Sequence, residues 1–204
     1  MRISELSRLT GVPVPTIKYY LREGLLHAGE STGATQARYD DSHVRRLRLA
    51  RALIGVGALS VSAAREVLAC LGSEQGSMHA VLGAAHSALP PQVPDDVEPA
   101  RARALAERWG WRVHPGSPAL RQLEHALRAL DDVGAPATEE HLAAYADAAR
   151  RVAEADVARI PTTSPEDAAT TVVVGTVLYE PVLLALRRMA QEAVSADRFL
   201  PSPR

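Results

Sequence analysis

The stretch VPTIKYYLREGLL, residues 14–26, decides the fold. Pro15 suits the first turn of a helix, because the N–H that proline lacks would have no partner there. Gly24 suits the left-handed position that follows the end of a helix. The stretch therefore predicts a short helix that begins near Pro15 and ends near Gly24.

Another short helix is predicted immediately upstream, with Ser4 as its N-cap and Gly11 as its stop. Its apolar residues recur at helical spacing: Leu6, Leu9 and Val12. Two short helices joined by a tight turn that contains glycine form a helix-turn-helix. We expect this pair to be one.

The segment downstream, residues 27–39, is rich in Gly, Ser, Thr and Ala and predicts a small β-hairpin that serves as a wing. Asp40 is then the predicted cap of a third helix, which ends at Gly55 and Gly57. This helix carries four arginines: Arg45, Arg46, Arg48 and Arg51. Ser60 is the predicted cap of a fourth helix.

This order of features resembles the N-terminal domain of the MerR family of bacterial transcription regulators. The matching features are Ile17-Lys18-Tyr19-Tyr20, Gly24-Leu25-Leu26, Arg38-Tyr39 at the end of the wing, the arginine-rich helix, Gly57 and the Ser-capped helix. Two features depart from the family pattern. The family usually has Arg where this chain has Lys18, and its wing usually ends Gly-Tyr-Arg-x-Tyr where residues 35–39 read TQARY.

The second helix is the candidate DNA-reading element. Ile17 and Leu21 lie four residues apart and are expected to face inward. The outer face then carries donors of the kind that hold phosphates and base edges: Thr16, Lys18, Tyr19 and Arg22. Tyr20 could pack inward while its hydroxyl reaches a phosphate. The alternative is that both tyrosines are only amphipathic filling.

The resemblance implies that Lys18, Tyr19 and Tyr20 contact DNA, with Arg38 and Arg45 gripping the flanking backbone. The arginines of the third helix could equally form a solvated face. By the same resemblance, a homodimer would bind a pseudo-palindromic promoter in double-stranded DNA and deform it, which alters access by RNA polymerase. The alternatives are an effector-free helical repressor and a helical ligand-binding or enzymatic body fused to a DNA-binding head.

The predicted fold class is all-α with a small β wing. A winged helix-turn-helix head, residues 1–71, would precede a short helix and linker, residues 72–99, and an all-helical dimerisation or effector region, residues 100–204. In that region Ser117-Pro118 and Ser164-Pro165 repeat a helix-start signal of a capping hydroxyl followed by proline. Pro181 should disturb the last helix. The family's long helix after the fourth one is expected to be interrupted at residues 72–77.

Charge and cysteine usage bound the function further. Residues 1–71 carry net charge +4 and residues 72–204 carry −5, as expected if only the head touches a polyanion.

The single cysteine, Cys70, allows no intrachain disulfide and makes soft-metal sensing improbable. We therefore expect a cytoplasmic protein without a metal, a cofactor or an enzyme motif. The apolar stretch 168–190 is interpreted as a buried helix, not as a membrane span.

The remaining candidate is an aromatic pair, Trp109 and Trp111, on a connection between helices. Two tryptophans can wall a pocket for an apolar organic effector. They can equally be side chains packed in the core between helices.

Overall fold

The computed structural model describes residues 1–33, 36–71, 83, 85–89, 93–94, 96–161 and 165–199. The described part is helical apart from one two-stranded sheet. The predicted fold class, all-α with a small β wing, is confirmed. The chain forms two compact units. Unit 1 joins Met1–Glu74 with Val173–Arg204, and unit 2 is Gln75–Val172.

Unit 1 begins with the predicted helix-turn-helix and wing. Its elements are α1 (Ile3–Thr10), α2 (Val14–Arg22), β1 (Glu30–Gly33), β2 (Gln36–Arg38), α3 (Asp41–Gly55) and α4 (Val61–Cys70). The strands are antiparallel, with Glu30 opposite Arg38. Gly11 ends α1, as the sequence predicted, and takes the left-handed conformation there.

The start of α1 differs from the prediction. The cap is Arg2, which is extended, and Ser4 lies inside the first turn. The reason is a pairing with the end of the wing. The Met1 amino group donates to the Tyr39 carbonyl at 2.6 Å, and the Tyr39 N–H donates to the Met1 carbonyl at 2.9 Å. This pairing holds the first residues extended, so the helix begins immediately after them.

The caps of α3 and α4 are those predicted. The Asp40 carboxylate accepts from the backbone N–H groups of Ser42 and His43, and the Ser60 hydroxyl accepts from the N–H of Ala63. Leucine and other aliphatic side chains form the core of the head. Its fully buried members include Leu6, Ile17, Leu25, Leu47, Leu53, Val67 and Leu68.

The last helix of the chain packs back onto the head. A π-helical segment, Val174–Leu178, leads into α9 (Tyr179–Phe199). Val177 is fully buried and lies against Gly57 at the end of α3, so closely that a Cβ on Gly57 would clash with it. Pro181 follows the π segment by three residues. Proline has no N–H to donate to the carbonyl four residues earlier, and its ring crowds that carbonyl. The wider π turn before Pro181 accommodates both effects.

Unit 2 is helical. Its labelled helices are α5 (Ala100–Arg108), α6 (Pro118–Asp132), α7 (Glu139–Ala158) and α8 (Pro165–Val173, whose last residue belongs to unit 1), and residues 85–88 are also helical. Ser117 is the N-cap of α6 and Pro118 its first residue, as predicted, but the Ser117 hydroxyl makes no capping hydrogen bond. A buried carboxylate, Glu124 on α6, instead accepts from the N–H of Ala102 at 3.0 Å and so fastens α5 to α6.

The two units group the chain differently from the expected boundaries, because residues 173–204 pack with the head. The functional division at residues 71 and 99 stays a prediction. Several expectations lie outside the described residues: the interruption at 72–77, most of the segment 78–89, part of the linker 90–99 and the Ser164 cap.

Candidate nucleic-acid interface

Helix α2 has one buried face and one open face. Ile17 is fully buried, and Tyr20 is 8% exposed. On the open face Lys18 and Arg22 are exposed, while Thr16 and Tyr19 are half-buried. The helix therefore presents its polar side chains in the arrangement inferred from their spacing, and their contact with DNA stays a prediction.

Arg22 is held beside an aromatic ring on the open face. Its guanidinium carbon lies 5.1 Å from the centre of the Tyr19 ring, within cation–π range. Its Nε also lies 3.3 Å from a carboxylate oxygen of Glu23. A guanidinium positioned in this way loses less conformational freedom when it meets a phosphate.

Tyr20 packs inward, which settles the orientation that the sequence left open. Its ring centre lies 6.1 Å from that of Tyr19. Burial raises the pKa of the Tyr20 hydroxyl, and the positive charge of Arg51 partly opposes this. The hydroxyl therefore stays protonated at neutral pH and remains a hydrogen-bond donor.

The wing is fastened to the head at its second strand. Arg38 is exposed on β2, and the next residue, Tyr39, is buried with its ring 5.1 Å from that of His43 in an edge-to-face arrangement. Arg38 therefore projects from a strand whose end is fixed by the core. Thr35, in the predicted wing end, lies outside the described residues.

Three of the four arginines on α3 hold the domain together. Arg46 donates to the carbonyls of Leu25 at 2.8 Å and Leu68 at 3.2 Å, and burial lowers its pKa. Arg48 and Arg51 donate to the last carbonyls of α1, those of Leu9 and Thr10. Arg45 alone of the four is exposed without a hydrogen bond or ion pair to any described residue. The sequence alone did not separate these roles.

The sequence analysis missed one cluster of histidines at the base of the wing. His27, Asp40 and His43 are the one group among the described residues whose ligand atoms could surround a metal ion. His43 Nδ1 lies 2.7 Å from Asp40 Oδ1, and the two histidine ring centres are 3.9 Å apart. Burial lowers the pKa of His27, helped by His43 and Arg46. The Asp-x-x-His spacing at 40–43 could have revealed the capping pair.

Capping accounts for two of these three side chains. Asp40 and His43 bond each other's backbone N–H groups in a capping box, and the cluster sits at the positive end of the α3 dipole. Both features disfavour a cation there. We assign Asp40 and His43 to the support of the wing.

The tryptophan pair lies in unit 2. The ring centres of Trp109 and Trp111 are 5.1 Å apart, and both side chains are half-buried. Trp111 packs against a small core cluster of Ala102, Ala106 and Leu120. This packing favours the core interpretation for Trp111 and leaves a ligand-binding role a prediction.

A helix-turn-helix with an open polar face, a β wing and supporting arginines defines a DNA-binding regulator. Residues 1–70 match the family described as MerR HTH family regulatory protein. A protein of Streptomyces coelicolor A3(2), known from a crystal structure and assigned as a transcriptional regulator, is 39% identical to this chain, with 100% of both chains covered and a TM-score of 0.73. None of the curated proteins matches the chain.

The chain belongs to the MerR family of helix-turn-helix regulatory proteins. The resemblance inferred from its first 71 residues is confirmed. The similarity to the Streptomyces protein extends over the whole length, so it includes the segment beyond the head where the family pattern weakens.

Proposed function

We propose that two copies of this chain bind a pseudo-palindromic promoter in double-stranded DNA and regulate transcription from it. Each copy places α2 in a major groove and its wing on the flanking backbone. The proposed contacts are Thr16, Lys18, Tyr19, Tyr20, Arg22, Arg38 and Arg45. Deformation of the DNA between the half-sites then changes access by RNA polymerase.

The open face of α2 is the observation that carries this proposal. Lys18 and Arg22 are exposed on a helix whose opposite face is fixed by Ile17 and Tyr20 in the core. Such a helix can enter a groove without rearrangement, because nothing in the core has to move. Its exposed cations suit a polyanion.

Lys18 gives a direct test, because it is the single lysine of the chain. An amine-reactive reagent can therefore label only Lys18 and the terminal amine of Met1, which is already bonded to Tyr39. Promoter fragments from the gene's own upstream region should protect Lys18 from labelling, while unrelated DNA protects it only at low salt.

The matched variants are Lys18→Ala and Arg151→Ala, since Arg151 is an exposed cation on α7 of unit 2. Lys18→Ala should weaken promoter binding and lower the slope of log affinity against log salt by about one unit. Arg151→Ala should bind as the parent does. Equal binding by both variants and the parent would refute the placement of α2 in DNA.

The finer assignments are also proposals. We infer a cytoplasmic regulator with no catalytic role, whose body senses an apolar organic molecule. A promoter assay with and without such molecules distinguishes this regulator from an effector-free repressor. A turnover screen on the intact chain tests the alternative of an enzymatic body.

A further inference from the structure

Lys18 carries the one side-chain amine of this protein. Among the 23 lysine and arginine residues of the chain, it alone is a lysine. Its side chain is exposed on the open face of α2 and makes no hydrogen bond or ion pair to any described residue. The guanidinium of arginine stays protonated, whereas the ε-amine of lysine can lose its proton and be acylated. The single side chain open to this modification therefore lies on the candidate DNA-reading face.

The amine at the start of the chain, on Met1, is engaged in the fold. It donates to the Tyr39 carbonyl at 2.6 Å, and the Tyr39 N–H returns a hydrogen bond to the Met1 carbonyl at 2.9 Å. An acyl group on this nitrogen would have to fit beside the Tyr39 carbonyl, within the pairing that also fixes the start of α1. Folding therefore leaves Lys18 as the more accessible amine.

A second cation lies one helical turn from Lys18. Arg22 is also exposed, and residues four apart on a helix are neighbours on one face. The Arg22 guanidinium is held 5.1 Å from the centre of the Tyr19 ring, and its Nε lies 3.3 Å from a carboxylate oxygen of Glu23. Glu23 offsets only part of this charge, because an ion pair at the surface is weak. Lys18 and Arg22, which we call the cationic pair, are therefore suited to a phosphate group.

We propose that Lys18 is a regulatory acylation site whose donor is an acyl phosphate. This donor holds a phosphate dianion, which the cationic pair attracts, next to an electrophilic carbonyl carbon. The neutral Lys18 amine attacks that carbon and forms a C–N bond, and the bond from the carbon to the phosphate oxygen breaks. Inorganic phosphate leaves with the electron pair of that bond. One proton of the attacking amine passes to water, so the product is an amide.

An acyl thioester is the alternative donor. Its reacting carbon has no charged group beside it, so the cationic pair gives it no advantage. A separate transferase would then have to bind the head and present the thioester to Lys18. An acyl phosphate needs only the two side chains that the open face of α2 already provides, which is why we assign the donor to this class.

Acylation of Lys18 would act directly on the proposed DNA contact. It removes one positive charge from α2 and replaces three N–H donors by one. It also lengthens a side chain that has to fit in the groove. The modified protein should therefore release the promoter. This inference rests on the proposed function, in which α2 enters the major groove, and adds a means of regulating it.

Mass spectrometry of the intact protein treated with acetyl phosphate tests the site. An α-amino group is ordinarily the more reactive amine near neutral pH. Folding should reverse this order, so Lys18 should be acetylated faster than Met1 in the native protein and more slowly than Met1 in urea. Peptide mapping distinguishes the two positions. Faster acetylation of Met1 in the native protein overturns the proposal.

Variants of the cationic pair test the donor. Arg22→Ala should slow acetylation of Lys18 by acetyl phosphate about threefold at low salt, because one charge near the dianion is lost, and the difference should vanish at high salt. The neutral acetyl thioester of N-acetylcysteamine should react equally with the parent and with Arg22→Ala. Arg151→Ala, which removes an exposed cation from α7, should react as the parent does with both donors. If Arg22→Ala slows neither donor, or both equally, the acyl phosphate assignment is overturned.

DNA titrations distinguish a failure of this inference from a failure of the proposed function. The acetylated parent should lose at least as much promoter affinity as Lys18→Ala does. Lys18→Arg has no amine at this position, so acetyl phosphate should not alter its affinity from that of its own untreated sample. Preferred acetylation of Lys18 that leaves promoter affinity unchanged overturns the regulatory role.

Two further outcomes concern the promoter itself. If Lys18→Ala binds promoter DNA poorly but Lys18 is not the preferred amine, the proposed function holds and the acylation site is overturned. If the native parent binds no promoter DNA, the proposed function falls and the regulatory role falls with it, whatever the acetylation rates.

Discussion

Arg45 and Arg46 are neighbours on α3 with opposite surroundings. Arg45 is exposed, whereas Arg46 is half-buried and donates to two backbone carbonyls. Arg46→Ala should lower the free energy of unfolding by about 2 kcal/mol, because hydrogen bonds from a charged group to buried carbonyls are lost. Arg45→Ala should leave the stability within about 0.5 kcal/mol of the parent and weaken DNA binding.

Urea unfolding and DNA titrations on both variants measure these effects. The salt slope of DNA binding should fall by about one unit for Arg45→Ala. An Arg45→Ala protein that is destabilised but binds DNA normally would show that this side chain is structural.

The Asp40 carboxylate makes the wing support dependent on pH. Hydrogen bonds from the Ser42 hydroxyl and from His43 hold the pKa of Asp40 well below its usual range. In the unfolded chain this carboxyl has an ordinary pKa of about 3.9, so the contribution is complete above that value and is lost as the pH falls toward the folded-state pKa. Asp40→Ala should therefore lower the melting temperature at pH 7 by more than it does at pH 3.

Thermal unfolding followed by circular dichroism at several pH values measures the difference. Asp41→Ala is the control, because Asp41 lies in the first turn of the same helix but does not cap it. A difference between parent and Asp40→Ala that does not change with pH would mean that the carboxylate charge contributes nothing.

At the scale of residues, the sequence predicted which side chains of α2 are polar and outward, because a helix repeats its faces at a fixed interval. It could not assign Arg46. Its role depends on carbonyls at Leu25 and Leu68, which lie far from it in the chain and reach it only through folding. The same holds for the contact between His27 and His43.

The contact between α3 and the π segment depends on the absence of a side chain at Gly57. A Cβ there would meet Val177 and would lie 2.7 Å from the carbonyl oxygen of Leu53. Gly57→Ala should therefore cost about 1–3 kcal/mol, the usual penalty for overpacking a core. The double variant with Val177→Ala should recover part of this loss.

Gly55→Ala provides the comparison. Gly55 ends α3, and a Cβ there would meet no atom within 4 Å. Alanine forms helices better than glycine, so this variant should be as stable as the parent or more stable by up to about 1 kcal/mol. If chemical unfolding finds Gly57→Ala as stable as Gly55→Ala, the close packing of Val177 on α3 is wrong.

Among the elements, α1 to α4 could be predicted nearly to their ends, because proline, glycine and capping residues act locally. The prediction of Ser4 as a cap was wrong, because Met1 pairs with Tyr39 at the end of a strand that is distant in sequence. The sequence identified Gly57 as a helix stop. Its packing role could not be predicted, because Val177 lies far along the chain.

In the whole molecule, both tryptophans lie in unit 2, so their fluorescence reports on the body without labelling. We expect an apolar organic ligand that changes promoter affinity also to quench or shift this emission, because Trp109 and Trp111 are half-buried and close together. Trp111→Leu should remove both responses.

Because Trp111 packs on Ala102 and Leu120, the melting temperature of Trp111→Leu is measured alongside, and Trp109→Leu is tested as the variant outside that cluster. Ligands that alter promoter affinity in the parent without changing its emission would place the sensing site elsewhere and leave these rings as core.

The charge division between the head and the rest of the chain was readable from composition, and so was the helical character of the body. The grouping of residues 173–204 with the head was not. Composition cannot tell which unit an apolar helix joins, because any apolar face satisfies the same pattern.

The contact of Gly57 with Val177 also sets an order of events during translation. A ribosome that adds about 5–20 residues per second delivers Val177 on the order of ten seconds after Gly57. During this interval the end of α3 in the nascent head lacks its contact with Val177 and is exposed to solvent. All of unit 2, Gln75–Val172, is made in the meantime. A newborn chain is therefore open to chaperones and proteases at this surface before it can act as a regulator.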